Sequence, residues 1–156
     1  MRQALELAIY REIGASGLYK TIADTISNPE GKQRFERLSK DEEGHRIKLE
    51  KWFEKLFGTA FTMSSEGIKQ SEIAGVSLKR HSGALEALDI AIKTEEQANN
   101  FYRMQADHAD DPDLKALFLA LAEEENGHHE LLEAERNALI GGFYWFDMDS
   151  TSFLED

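Results

Sequence analysis

The chain has 156 residues, enough for one domain built on a single core. Lysine and arginine total 18 against 30 aspartates and glutamates, a formal net charge of −12, so the surface repels nucleic acid and anionic lipid and neither is an expected partner. Cysteine is absent, which excludes disulfides, thiolate zinc sites and cysteine-ligated iron–sulfur clusters and fits a cytoplasmic location; no apolar run approaches the roughly 20 residues that span a bilayer.

From the N-terminus, Leu5, Ala8, Glu12, Ala15, Tyr19, Ile22 and Ile26 recur at alternating spacings of three and four, the seam of an amphipathic helix facing a bundle core. Glu12 lies within that seam. A buried carboxylate is costly enough that it must be neutralised, paired or metal-bound. The helix is expected to stop near Ser27-Asn28-Pro29-Glu30, where Ser27 or Asn28 caps the next helix and Pro29 occupies its first turn; Ser27 and Glu30 have capping-box spacing.

The second helix is predicted through Phe35, Leu38, Glu42, His45, Leu49, Trp52 and Leu56, with Gly58 ending it. Glu42 and His45 interrupt the apolar stripe on one face, three residues apart, with roughly 5–6 Å between their Cβ atoms. Residues 58–83 are too many for a hairpin between neighbouring helices. They are expected to cross the length of a bundle, with Glu66–Lys79 as a short helix, and His81 in this stretch has no assigned role.

The third bundle helix is predicted through Leu88, Ala91, Glu95, Ala98, Tyr102, Gln105 and Ala109. Glu96 sits about 100° round the helix from Glu95 and reads as solvated. Asp111-Pro112-Asp113 opens the fourth helix, which uses Phe118, Leu121, Glu125, His128, Leu132 and Leu139 before Gly141-Gly142 ends it. His108 and His129 read as surface histidines. Residues 1–142 form the predicted domain, and the aromatic segment 143–156 is expected to pack on it or on a partner subunit in a homodimer.

The two halves repeat without gaps. Ala4/Ala87, Leu5/Leu88, Glu12/Glu95, Ala15/Ala98, Tyr19/Tyr102, Pro29/Pro112, Glu42/Glu125, His45/His128 and Gly58/Gly141 are all 83 residues apart. Two helical hairpins joined by a long crossover predict an all-α, antiparallel four-helix bundle with approximate two-fold symmetry. That symmetry gathers Glu12, Glu42, His45, Glu95, Glu125 and His128 in one core. No lysine or arginine occupies the seams, so cations from outside must balance the carboxylates.

A Glu from each of two helices, with Glu-x-x-His from each of the other two, is the donor set of ferritin-like di-iron bundles. The chain resembles the rubrerythrins of that superfamily through Ala8-Ile9-x-x-Glu12-x-x-Ala15-x-x-Leu18-Tyr19, Ala91-Ile92-x-x-Glu95-x-x-Ala98-x-x-Phe101-Tyr102 and its two Glu-x-x-Gly-His segments. The resemblance implies two iron ions, with manganese or a mixed pair also suited to these ligands. It implies that Glu42 and Glu125 bridge them, while Glu12 with His45, and Glu95 with His128, complete one ion each. Tyr19 and Tyr102 are either core aromatics or hydrogen-bond partners of the ligands.

Two departures from full rubrerythrins matter. The chain cannot hold their four-cysteine rubredoxin-like domain, so electrons are expected from an external donor such as a separate rubredoxin-like protein. Ala98 stands where rubrerythrins tend to have a second glutamate. The implied activity is reduction of peroxide or O₂ at the di-iron centre. The alternatives are a ferroxidase or iron-binding protein that handles Fe(II), and a metal-stabilised interaction module.

Overall fold

The computed structural model describes residues 1–74 and 83–141. Five helices follow in order: α1 (Arg2–Asp24), α2 (Pro29–Phe57), α3 (Ser65–Ala74), α4 (Ala84–His108) and α5 (Pro112–Ile140). The fold is all-α and ferritin-like, with no strand among the described residues. No described helix is long and apolar enough to cross a membrane. His81 and the segment 143–156 lie outside the described residues.

The two hairpin turns are built alike because the same chemistry recurs. Asn28 Oδ1 accepts from the amides of Glu30 and Gly31 at 2.9 and 3.1 Å, and Asp111 Oδ1 accepts from those of Asp113 and Leu114 at 2.8 and 3.2 Å. A proline follows each cap, at a position whose amide would have no partner in the helix. Asn28, not Ser27, is therefore the cap. At the far ends the repeat breaks: Gly58 closes α2 with φ 69°, a left-handed turn that favours glycine, whereas Gly141 closes α5 at φ −74°.

Hydrogen bonds fix the register of the bundle. Ser16 and Ser39 exchange hydroxyl-to-carbonyl bonds of 3.1 and 2.9 Å between α1 and α2. At the equivalent place in the second hairpin, Asn99 Nδ2 donates to the Ala122 carbonyl at 2.6 Å. Between hairpins, Tyr19 bonds Glu95 and Tyr102 bonds Glu12, so residue numbers rise on α1 as they fall on α4. The two helices run antiparallel.

The crossover does span the bundle. α2 ends beside the start of α1, where the Arg2 guanidinium lies 5.3 and 5.4 Å from the Phe53 and Phe57 ring centres. α4 starts beside the end of α1, with Ala84 and Leu88 packed in the same core as Ile22 and Ile26. The chain between them lies along α1 through α3, and Tyr10 holds it: its hydroxyl accepts from the Ser64 amide at 2.9 Å. A Cβ on Gly67 would fall 2.1 Å from the Tyr10 ring, so α3 approaches α1 this closely only with glycine there.

Two apolar clusters fill the bundle. One gathers Leu18, Tyr19, Ile22, Phe35, Leu38 and Leu88; the other gathers Ile9, Leu49, Phe53, Tyr102, Phe118 and Leu121. Each large side chain buried there stabilises the fold by about 1.5–3 kcal/mol. The predicted seams hold through the middle of the helices and drift at their ends. Trp52 is half-buried and Leu56 is 39 % exposed, while Phe53 is buried. In α4, Phe101 and Ala106 are buried in place of Ala98, Gln105 and Ala109. A three–four alternation averages 3.5 residues per turn, and a straight helix drifts about 20° per heptad from it.

Candidate metal centre

Six polar side chains sit between the apolar clusters, each supplied by the middle of a bundle helix. Glu12 comes from α1, Glu42 and His45 from α2, Glu95 from α4, and Glu125 and His128 from α5. All the predicted site residues are brought together. Glu12, Glu42, His45 and Glu125 each offer one donor atom within 4.8 Å of the others, and so do Glu42, Glu95, Glu125 and His128. Glu42 and Glu125 belong to both groups, as bridging ligands would. Glu96 is exposed, and His129 points to Glu133 at 3.7 Å, outside the cluster.

The donor atoms face inward. His45 Nδ1 lies 2.7 Å from Glu125, 3.4 Å from Glu42 and 3.6 Å from Glu12. His128 Nδ1 lies 2.9 Å from Glu42, 3.5 Å from Glu95 and 3.7 Å from Glu125. Both Nδ1 atoms, both Glu42 oxygens, Glu95 Oε2 and Glu125 Oε1 are buried without a hydrogen-bond partner. Buried polar atoms left unpaired cost about 1–3 kcal/mol each. Here they converge on common points, which is the arrangement that fits cations.

The outer edges of the cluster are also prepared. His45 Nε2 meets Glu124 at 2.5 Å, and His128 Nε2 meets Asp41 at 3.1 Å. Each acid belongs to the hairpin opposite its histidine and holds the ring with Nδ1 turned inward. Tyr19 donates to Glu95 and Tyr102 to Glu12 across the same divide. Both tyrosines are thus core aromatics whose hydroxyls also orient the Glu95 and Glu12 carboxylates.

Without metal, protons balance the charge. Burial, with the Glu12 and Glu125 carboxylates nearby, raises the Glu42 carboxyl well above its usual range. Burial and a hydrogen bond with Glu125 push Glu95 up to about 8. Burial opposes charge on the two histidines, but Glu12, Glu125 and Glu42 around His45, and Glu125, Glu42 and Glu95 around His128, outweigh it and raise both. Burial would raise Glu125 too, yet its bond with Glu95 and the two imidazoles hold it well below the usual carboxylate range. Burial, reinforced by Glu95 and Glu12 respectively, raises Tyr19 and Tyr102 and keeps them as donors.

A cavity of about 30 Å³ opens onto the cluster between α1 and α4, with Arg11, Ala15, Ala98 and Phe101 in its wall and Glu12, Glu42, Glu95 and Glu125 at its buried side. That is room for about two waters, at about 10–15 Å³ each. Arg11, Asp41 and Glu124 carry no role in the sequence pattern.

Similarity to known proteins agrees with this geometry. The profile of the Rubrerythrin family matches residues 3–78 and 86–141. A hypothetical protein from Pyrococcus furiosus is similar in structure, with a TM-score of 0.75, 26 % sequence identity and 90 % of each chain covered. No curated protein matches the chain.

Proposed function

Because this chain belongs to the rubrerythrin family, whose members are di-iron carboxylate proteins, we propose that it is an oxidoreductase that reduces hydrogen peroxide at a two-iron centre, fed by a separate electron-donor protein. The observation that carries the metal reading is the set of buried, unpartnered donor atoms shared by two overlapping groups. Glu12, His45 and Glu95, His128 would each complete one ion, with Glu42 and Glu125 common to both. Carboxylate and imidazole donors suit iron and manganese.

A pair of ferrous ions held there would supply the two electrons that, with two protons, turn one peroxide into two waters. The protein's own groups supply the rest. Glu42 and Glu125, reached from both histidine sides, would keep the ions close together. Tyr102 lines the cavity and stays protonated, so its single O–H holds Glu12 beside the space a ligand would enter. The alanines at 15 and 98 leave space, and the volume of about 30 Å³ admits a molecule of peroxide's size.

Ala98 also favours a second reading. It places a methyl group in the cavity wall where family members tend to carry a carboxylate, which removes a ligand for oxidised iron and weakens the peroxidase advantage. A ferroxidase that oxidises and hands on Fe(II) would use the same six ligands. Stopped-flow mixing of anaerobic, Fe(II)-loaded protein separates the two. Peroxide is expected to oxidise the centre faster than O₂, with one peroxide consumed per two irons. Faster oxidation by O₂, with Fe(III) released, would overturn the peroxidase reading.

A further inference from the structure

We propose that Arg11 makes the cavity between α1 and α4 selective for small monoanions of two or three heavy atoms; the inference rests on the metal reading above. Arg11 lines the cavity that reaches Glu12, Glu95 and Glu125. Its guanidinium stacks over Phe101, 4.8 Å from the ring centre, which fixes the group at the cavity wall. Its Nε is buried with no hydrogen-bond partner. Arg2, Arg34, Arg46, Arg103 and Arg136 all reach a carboxylate, but Arg11, like the exposed Arg37, makes no ion pair among the described residues. In a chain of net charge −12, an arginine beside four glutamates that pairs with none of them holds a donor in reserve.

Charge balance says what the donor is for. Four glutamates line the cavity beside Arg11. Two divalent cations bring those carboxylates to neutrality, and the guanidinium becomes the uncompensated charge on the lining. The internal repeat supplies a comparison: the position equivalent to Arg11 is Thr94, which lines the same cavity but spends its hydroxyl on the Ile90 carbonyl at 2.9 Å. One wall therefore carries a free charge-assisted donor and the other is neutral. Volume favours small ions, since about 30 Å³ is room for about two waters.

Azide titrated into the iron-loaded, oxidised protein, followed optically, tests the assignment. Arg11→Gln is expected to weaken azide binding by about tenfold, the scale of one hydrogen bond to a charged group. Arg11→Lys should retain most of the affinity, and Arg103→Gln, a surface arginine outside the cavity, should retain all of it. Iron content and melting temperature are measured on each variant. Unchanged affinity in Arg11→Gln, or equal weakening in Arg103→Gln, would overturn the subsite. So would loss of iron in Arg11→Gln, which would make Arg11 a support of the centre. A wild-type protein that took up no iron would sink the metal reading itself, and the subsite with it.

Discussion

Glu135 and the four central glutamates are all withdrawn from water, yet among the described residues only Glu135 forms an ion pair with an arginine. Its Oε1 accepts from Arg34 Nη1 at 2.5 Å, a pair joining α5 to α2 across the hairpins. The central cluster holds four carboxylates at 0–3 % exposure, and no lysine or arginine is buried among the described residues. Where the fold needs only to bury a carboxylate, it brings a cation of its own. At the centre it brings two imidazoles whose Nδ1 atoms find no hydrogen bond, and leaves the remaining charge to be met from outside.

The largest effects should come from breaking the shared ligands. Glu42→Ala or Glu125→Ala removes a carboxylate common to both donor groups, so one truncation damages two coordination spheres. Loss of both metal ions is expected, read by elemental analysis after reconstitution with Fe(II). Glu12→Ala and Glu95→Ala each touch one group and should weaken one ion. Glu96→Ala and His129→Ala lie outside the cluster and should leave two ions per chain. Equal loss on changing Glu96 would overturn the face assignment.

Removing metal sharpens the same contrast through pH. Glu95, raised to about 8, together with Glu42 and both histidines, binds protons more tightly folded than unfolded. Stability from groups with raised values is fully present below their unfolded pKa and is lost as pH rises through the folded one. Glu125, held low, works in the opposite sense and loses its contribution on acidification. Between about pH 5 and 9 the metal-free protein should therefore melt at falling temperatures as pH rises. Metal takes the place of those protons and binds better as they leave. The gap between metal-loaded and metal-free melting curves should widen towards alkaline pH. Coincident curves at every pH would count against a cation site. An isolated histidine would set metal release near about pH 5–6. The raised groups move proton competition upward from there.

The candidate ligands were legible because a carboxylate inside an apolar seam is conspicuous, and an ungapped repeat shows it twice. Asp41 and Glu124 were not. Each lies next to a seam glutamate and so about 100° off the seam of its own helix, the position that correctly marked Glu96 as solvated. Their partners are on the opposite hairpin, and no single-helix period reveals a register between hairpins. The repeat held a usable signal: positions 41 and 124 are both acidic, whereas the equivalent of Glu96 is Ile13. Arg11 carries no such echo, because its counterpart is Thr94. The repeated Gly44 and Gly127 remain without a packing reason, since a Cβ on either would meet nothing within 4 Å.

The smallest expected effect lies at the other buried carboxylate. Arg34→Leu leaves Glu135 facing an apolar side chain, so the carboxyl must protonate or stay charged without its partner. Breaking a fully buried pair costs about 3–5 kcal/mol, but Arg34 is 34 % exposed and water can replace part of what it gave. A loss of about 1–2 kcal/mol is the scale between exposed and buried pairs. In a chain of this length that lowers the melting temperature by a few degrees. Metal stoichiometry should stay at two, because neither Arg34 nor Glu135 belongs to the donor groups. The double variant Arg34→Leu, Glu135→Leu should recover much of the lost stability, since it removes the stranded carboxylate along with its partner. No apolar double replacement of that kind should rescue Glu42 and Glu125, whose proposed partners are metal ions. If the Arg34 variant lost metal as well, the two carboxylate sites would be one coupled system rather than two solutions to the same problem.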